Sequence, residues 1–219
     1  MTFDKPQVSM IGTTAMLFMA PGPLDLEHQS RIWSMAATVS TWPAVEEAVP
    51  GMTNLMVVFD APPRDPENVE RALLALWSES RPMVPGGRVI EIPVTYGGEH
   101  AIDLAAVTAH AGLSVDEVVR IHSGGEYVVF AVGSSPGFAY LGGLDPRIHM
   151  PRKSVPSLRM VAGSVTIGGM QTGVAALTGP NGWNSIGFAE LTVFDPSRDP
   201  PALLAPGDRV RFRAERILP

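Results

Sequence analysis

The sequence predicts a small α+β domain followed by a mainly-β domain, a strand-rich barrel or sandwich bearing two short helices. Three observations carry this expectation. Across residues 1–80, two stretches with apolar side chains at helical spacing lie among short runs of strand-like alternation. Residues 81–87 then place two prolines and two glycines where no period survives. Beyond them, glycine and proline punctuate short apolar runs, most densely over residues 133–187. The boundaries read from this pattern are 1–82 for the α+β domain, 83–90 for a linker and crossing strand, and 91–219 for the β domain.

Residues 8–19 alternate imperfectly between apolar and small polar side chains, which suits a strand or hairpin. After Pro21-Gly-Pro23, residues 26–40 carry Ile32, Met35, Ala36 and Val39 on one helical stripe, widened by Trp33, and Pro43 ends the helix. Residues 45–49 and 54–59 read as strands about a Pro50-Gly51 turn. Asp65 and Pro66 supply an N-cap and a first-turn proline for a second helix with Val69, Ala72, Leu73, Leu76 and Trp77 on its buried face. The order β-α-β-β-α packs both helices on one sheet face.

In the second domain, residues 89–96 alternate as a strand, and Pro93 places it at a sheet edge or on a path from one sheet to another. Asp103 caps a short helix with Leu104, Val107 and Ala111 on one face, and Gly112 stops it. Ser114 and Glu117 have capping-box spacing for a second short helix, with Val115, Val118 and Val119 inward. Residues 126–132 read as a buried strand. Residues 191–194 and 209–213 read as closing strands, with turns at Asp195-Pro196 and Pro206-Gly-Asp208. No fixed-period repeat is visible, which argues against a solenoid or propeller.

With 219 residues, 45% of them hydrophobic and 17% charged, the composition is that of an ordinary globular protein. A net charge of -6 without any Lys/Arg-rich run argues against nucleic acid as a partner. The absence of cysteine removes disulfides, thiolate metal sites and a cysteine nucleophile together, and is compatible with a reducing cytoplasm. Residues 15–20 form an apolar patch that lacks a basic flank and is broken by Pro21. No run approaches the ~20 apolar residues needed to cross a bilayer, so the expected location is cytoplasmic, away from membranes.

Candidate chemistry concentrates in the glycine-rich region. Gly133-Ser-Ser-Pro-Gly137 has the spacing of a serine-hydrolase elbow, but Pro136 has no N–H for an oxyanion hole and the following residues are too glycine-rich for a helix. Gly168-Gly-Met-Gln-Thr-Gly173 has no lysine after its last glycine, so it is not a phosphate loop. No histidine pair has metal-ligand spacing, and no metal site is expected. His28, His110 and His122 fall on helices, where surface or boundary positions are the usual explanation. His149, beside Pro151 and Arg152, is either a ligand-binding residue or a structural hydrogen-bonding one. Arg152 suits a carboxylate or phosphate, or is a solvated loop charge. Phe138, Tyr140 and Trp183 form either an apolar wall over a small substrate or a cover for a barrel end. Gln171 and Thr172, uncharged and flanked by glycine, suit recognition of an amide. Asp208 reads as a turn residue making an Asx-type bond. No carboxylate pair presents itself as an acid-base couple, and the catalytic residues stay unassigned.

The order of these motifs carries a resemblance. Pro136-Gly-Phe-x-Tyr-Leu-Gly-Gly-Leu-Asp145, His149-x-Pro-Arg152, Ala162-Gly-Ser-Val-x-Ile-Gly-Gly-x-Gln-Thr-Gly173, Gly182-Trp-x-x-Ile-Gly187 and Pro206-Gly-Asp-x-Val-Arg-Phe212 together resemble the family of the bacterial 5-oxoprolinase B subunit, also called allophanate hydrolase subunit 1. With matching stretches at residues 45–52 and 92–98, the resemblance covers nearly the whole chain. It implies that the second half is a cyclophilin-like β-barrel. It further implies a non-autonomous subunit that works with subunits A and C to open 5-oxoproline, a small amide, to glutamate, with ATP and Mg used by the complex and neither bound by this chain alone. The B and C subunits of this type resemble the two halves of the urea carboxylase carboxyltransferase domain, which would place a shared site where they meet. The substrate-binding set is then Phe138, Tyr140, His149, Arg152, Gln171, Thr172 and Trp183.

The sequence departs from the family pattern at Ser134, Ala139, Met170 and Phe188-Ala189, where a phenylalanine, a proline, a glutamate and an Arg/His-Thr pair are common. Two alternatives stay open. One is a regulatory binding protein that inhibits a histidine kinase. The other is half of a urea or allophanate-type carboxyltransferase, which would need biotin on a partner because no Met-Lys-Met motif occurs here.

Overall fold

The computed structural model describes residues 4–83 and 86–219. Met1 to Phe3 at the start of the expected first domain, and Val84 and Pro85 of the expected linker, lie outside the described residues. The chain forms two compact units, Met1–Pro85 and Gly86–Pro219. Among the described residues no helix is long and apolar enough to cross a membrane.

The first unit is a four-stranded antiparallel sheet in the order β1-β2-β4-β3, with strands β1 (Gln7–Ile11), β2 (Ala15–Met19), β3 (Val45–Pro50) and β4 (Asn54–Phe59). Residues 8–19 are thus a hairpin. Helices α1 (Leu26–Val39) and α2 (Pro66–Glu79) cover one face. Every second residue of the central strands, Met16 and Phe18 on β2 and Leu55, Val57 and Phe59 on β4, is buried against Ile32, Met35, Val39, Leu73 and Trp77. Each such side chain contributes about 1.5–3 kcal/mol by leaving water. Asp65 caps α2 by accepting from the Asn68 N–H at 2.9 Å, as expected, and Asp25 caps α1 in the same way through His28. Gln29, fully buried, donates to the Gly51 carbonyl at 3.0 Å and accepts from the Thr53 N–H at 2.8 Å, which clamps the β3–β4 turn to α1.

The second unit is a closed seven-stranded barrel in the order β10-β7-β6-β13-β5-β12-β9. Its strands are β5 (Val89–Tyr96), β6 (Tyr127–Val132), β7 (Ala139–Gly142), β9 (Ser164–Gly168), β10 (Gln171–Val174), β12 (Asn184–Phe188) and β13 (Arg209–Ile217). A separate two-stranded ribbon joins β8 (Ser157–Met160) to β11 (Gly179–Asn181). Helices α3 (Leu104–Ala111) and α4 (Val115–Ser123) add Leu104, Val107, Val118 and Val119 to the barrel core. The glycine-rich stretch thus contributes β7, β9, β10 and most of β12 to the barrel wall, joined by long connections, and β9 is buried at all five positions.

Several details differ from the sequence expectation. Pro93 is not on a free edge: β5 pairs in parallel with β13 and antiparallel with β12. The β12 ladder reaches only Tyr96 and Thr95, so Pro93 lies beyond it and costs that pairing no donor. Leu191 to Phe194 forms no strand, only one isolated bridge from Phe194 to Ala202. Around that bridge the Leu203 N–H donates to the Val193 carbonyl at 2.8 Å and the Asp195 N–H donates to the Pro201 carbonyl at 2.9 Å. Asp103 stands at the N-cap of α3 but makes no side-chain capping bond. Its carboxylate instead pairs with Lys153 at 2.6 Å and accepts from the Ser185 N–H at 2.8 Å. The α4 capping box forms as expected. His122, expected at a surface or boundary, is fully buried, because it continues the inward stripe one turn beyond Val118.

Candidate functional site

A cavity of about 690 Å³ opens on the barrel unit, within the ~300–1,000 Å³ usual for small-molecule sites. Three aromatic rings form its apolar surface. Phe138 meets Tyr140 at 4.9 Å and 87° and meets Trp183 at 5.5 Å and 83°, while Tyr140 meets Trp183 at 6.0 Å and 64°. Edge-to-face packing of this kind places positive ring edges on negative faces and locks all three together. Strand glycines make room for them. A Cβ at Gly168 would stand 2.4 Å from the Trp183 ring, and one at Gly173 would stand 3.4 Å from the Phe138 ring and 2.9 Å from the Ala139 carbonyl.

Arg152 lies at the rim. Its guanidinium packs beside Gly182, where a Cβ would sit 3.5 Å from Nη2. The backbone on each side is tied down: Asn184 Nδ2 donates to the Pro151 carbonyl at 2.9 Å, and the Lys153 N–H donates to the Gly182 carbonyl at 2.7 Å. Lys153 itself is held by Asp103 and by Ser157 Oγ, each at 2.6 Å. The lining also includes Ser134, Ser135 and Gln171 and the segment 175–182, which contains β11. Among the described residues, Arg152 is the only charged side chain in the lining, which holds no carboxylate and no histidine.

Behind this wall sits a buried polar chain. The Thr172 hydroxyl donates to the Thr166 carbonyl at 2.9 Å, so it accepts from His122 Nε2–H at 2.8 Å. Nδ1 of His122 then accepts from the Tyr96 hydroxyl at 2.7 Å, and the Tyr127 hydroxyl donates to the His122 carbonyl at 2.7 Å. Burial pushes the His122 imidazole down to about 3, so the ring is neutral, and burial raises the hydroxyls of Tyr96 and Tyr127. The ring also stacks on Phe212 at 4.6 Å. At the other end of the barrel unit, burial alone would raise the Asp208 carboxyl, but hydrogen bonds from the Arg88 side chain and N–H and from the Ala205 N–H hold it below the ordinary range. It is a clamp joining the start of β5 to the turn before β13, a larger role than the expected Asx-type turn bond.

Five of the seven residues expected to bind substrate line the cavity: Phe138, Tyr140, Arg152, Gln171 and Trp183. Thr172 is buried in the wall on His122, and His149 Nε2 donates to the Leu144 carbonyl at 3.1 Å away from the lining. Ser134 and the stretch from Ala175 to Thr178 were not anticipated as lining. Ser134 lies at a positive φ of 61°, a signal visible only in its placement between Gly133 and the Pro136-Gly137 turn. Ser135 faces no elbow helix, since β7 follows directly after the turn. Among the described residues no group of three or more His, Asp or Glu side chains is placed to hold a metal ion.

Residues 6–204 match the carboxyltransferase domain, subdomain C and D, which gives the class of protein. Over 214 residues the chain is 48% identical to the 5-oxoprolinase B subunit of Escherichia coli O157:H7, covering 95% of this chain and 96% of that protein. The chain belongs to the 5-oxoprolinase B-subunit family. Among solved structures it resembles TTHA0988, with 35% identity and a TM-score of 0.74 over 92% of the chain. It spans 40% of the TTHA0988 chain. It also shares the fold of Kluyveromyces lactis urea carboxylase, with a TM-score of 0.74 at 18% identity, covering 98% of this chain and 22% of that one.

Proposed function

We propose that this chain is the B subunit of an ATP-dependent 5-oxoprolinase acting in the cytoplasm, and that it supplies one wall of a substrate cavity completed by the C subunit. The carrying observation is the composition of that cavity. Its lining offers aromatic faces, neutral hydrogen-bonding groups and one cation, but no carboxylate, histidine or lysine to act as a general acid or base. Such a wall binds and orients a small amide, and the proton-transfer groups come from elsewhere. Phe138, Tyr140, Trp183, Gln171 and Arg152 touch the substrate in this reading, while Thr172 and His149 hold the wall. The two compact units are then two domains, the second a cyclophilin-like barrel.

The surroundings of the cavity support a docked partner. Leu177 in the lining is 59% exposed, Leu158 on the paired strand β8 is 85% exposed, and Met170, in the turn between the lining residues Gly168 and Gln171, is 48% exposed. Exposed apolar side chains in and next to the lining segments suit an interaction surface. In this reading ATP and its Mg belong to the assembled complex, since the turn between β9 and β10 has no lysine to cradle a phosphate.

The test is reconstitution. Glutamate formation from 5-oxoproline is followed with ATP, using the chain alone, with subunits A and C, and with the chain omitted. Activity is expected only from the full set. Turnover by the chain alone, or unchanged turnover without it, overturns the reading. Carboxyl transfer from a biotinylated partner to urea, with no glutamate formed, would identify a carboxyltransferase half instead.

A further inference from the structure

We infer that Arg152 is the specificity-determining residue of the cavity and that it reads a carboxylate on the substrate, so that the site takes small planar amides bearing an acid group and discriminates against neutral ones. The inference rests on the cavity being the substrate site proposed above, and deepens that reading by assigning the ligand class.

Three observations carry it. First, Arg152 is the only charged side chain in the lining among the described residues, and no ion pair or hydrogen bond occupies its guanidinium. Its neighbour Lys153 has the opposite arrangement, neutralised by Asp103 at 2.6 Å with both side chains about five-sixths buried. A cation left unpaired beside a neutralised one presents its fork to whatever enters the cavity. Second, the backbone that carries Arg152 is held in place: the bonds from Asn184 to Pro151 and from Lys153 to Gly182 tie it on both sides, and Gly182 leaves room for the planar group of this exposed side chain to lie against the chain. A tied backbone lowers the entropy lost on binding, and the planar guanidinium fork matches both oxygens of a carboxylate. Third, the rest of the lining is neutral. The Phe138, Tyr140 and Trp183 rings offer a surface to the face of a small ring, and Ser134, Ser135 and Gln171 offer hydrogen bonds to an amide. Those groups bind charged and uncharged amides alike, so on this wall of the cavity discrimination falls to Arg152.

The experiment compares wild type, Arg152→Met and Arg152→Lys in the assembled three-subunit complex. Substrates are 5-oxoproline and its uncharged carboxamide. Arg152→Met is expected to raise the KM for 5-oxoproline on the order of 100-fold with kcat changed less than about threefold, as loss of a charge-assisted bidentate bond predicts. Arg152→Lys recovers part of the loss, and the KM for the carboxamide stays the same in all three. An unchanged KM for 5-oxoproline, or equal losses on both substrates, overturns the proposal. Calorimetric binding of the same two compounds to the complex without ATP keeps the outcomes separable. If no glutamate forms, the functional reading fails while the site assignment is decided by binding. A preference for the acid that vanishes in Arg152→Met sustains it, and equal affinity for acid and amide, or no binding of either, overturns it. Melting curves of the variants establish that both fold.

Discussion

Gly168 has no side chain because the Trp183 ring occupies the space a Cβ would take, at 2.4 Å. Gly142 stands in the same relation to Phe130, with a Cβ placed 2.3 Å from that ring. Glycine density in this region thus marks close approach of rings to strands as much as turns, and sequence alone could not separate the two uses. Gly168→Ala is expected to cost about 1–3 kcal/mol, the usual penalty for overpacking, and to displace the indole from the cavity. Urea denaturation followed by near-ultraviolet circular dichroism checks both. His122 carries a second prediction. The unfolded chain takes up a proton on this ring near the ordinary value of 6.5, whereas the folded chain refuses it until about 3. Stability is therefore flat in His122 above pH 6.5 and falls by about 1.4 kcal/mol per pH unit below it, until the folded value is reached. His122→Gln removes that slope, so the stability difference between variant and wild type shrinks as pH drops from 7 to 4. The buried position of His122 was legible in principle, since it lies four residues past Val118. The histidine's usual preference for boundaries outweighed the spacing.

At the scale of elements, the signals that predicted correctly are local ones. Asp65-Pro66 and the Ser114–Glu117 box placed the starts of α2 and α4, because caps are satisfied within three residues. Asp103 misled for the same reason: a cap residue can be claimed by a partner 50 residues away, and Lys153 claims this one. That pair ties α3 to the segment carrying Arg152. Lys153→Met leaves the Asp103 carboxylate with the Ser185 N–H but without its cation. The expected cost is about 2 kcal/mol, less than the ~3–5 kcal/mol of a fully buried broken pair because both side chains retain some solvent. Thermal unfolding measures it. In the reconstituted complex the same variant raises the KM for 5-oxoproline, since the backbone beside Arg152 loses one of its ties. The strand expected at 191–194 shows the limit of alternation as a signal. The alternation suits a strand, but pairing with the chain that returns after residue 200 stops at the single Phe194–Ala202 bridge, and alternation carries no information about whether a partner strand is there.

At the scale of the whole chain, strand content was legible from punctuation and alternation, and closure was not. Whether seven strands make a barrel or a sandwich depends on pairings between distant residues, and no local period encodes them; the family resemblance, not the spacing, pointed to the barrel. The cavity was half legible: five lining residues lay in recognisable motifs, whereas Ala175 to Thr178 carry no chemical signal and line it only because the chain passes there. The rim yields a further prediction. Leu177→Glu and Leu158→Glu leave folding intact, since both side chains are largely exposed, but weaken association with the C subunit at least tenfold in sedimentation or calorimetry, with loss of glutamate formation in proportion. The pairing of β13 with β5 has a consequence for how the protein is made. Arg88 and Asp208, 120 residues apart, meet beside the first bonds of that pair. During synthesis β5 emerges early and waits with both sides bare until β12 is made, and with one side bare until β13 follows. Late sealing of this kind slows maturation and leaves a sticky margin open to other chains until the last strand arrives.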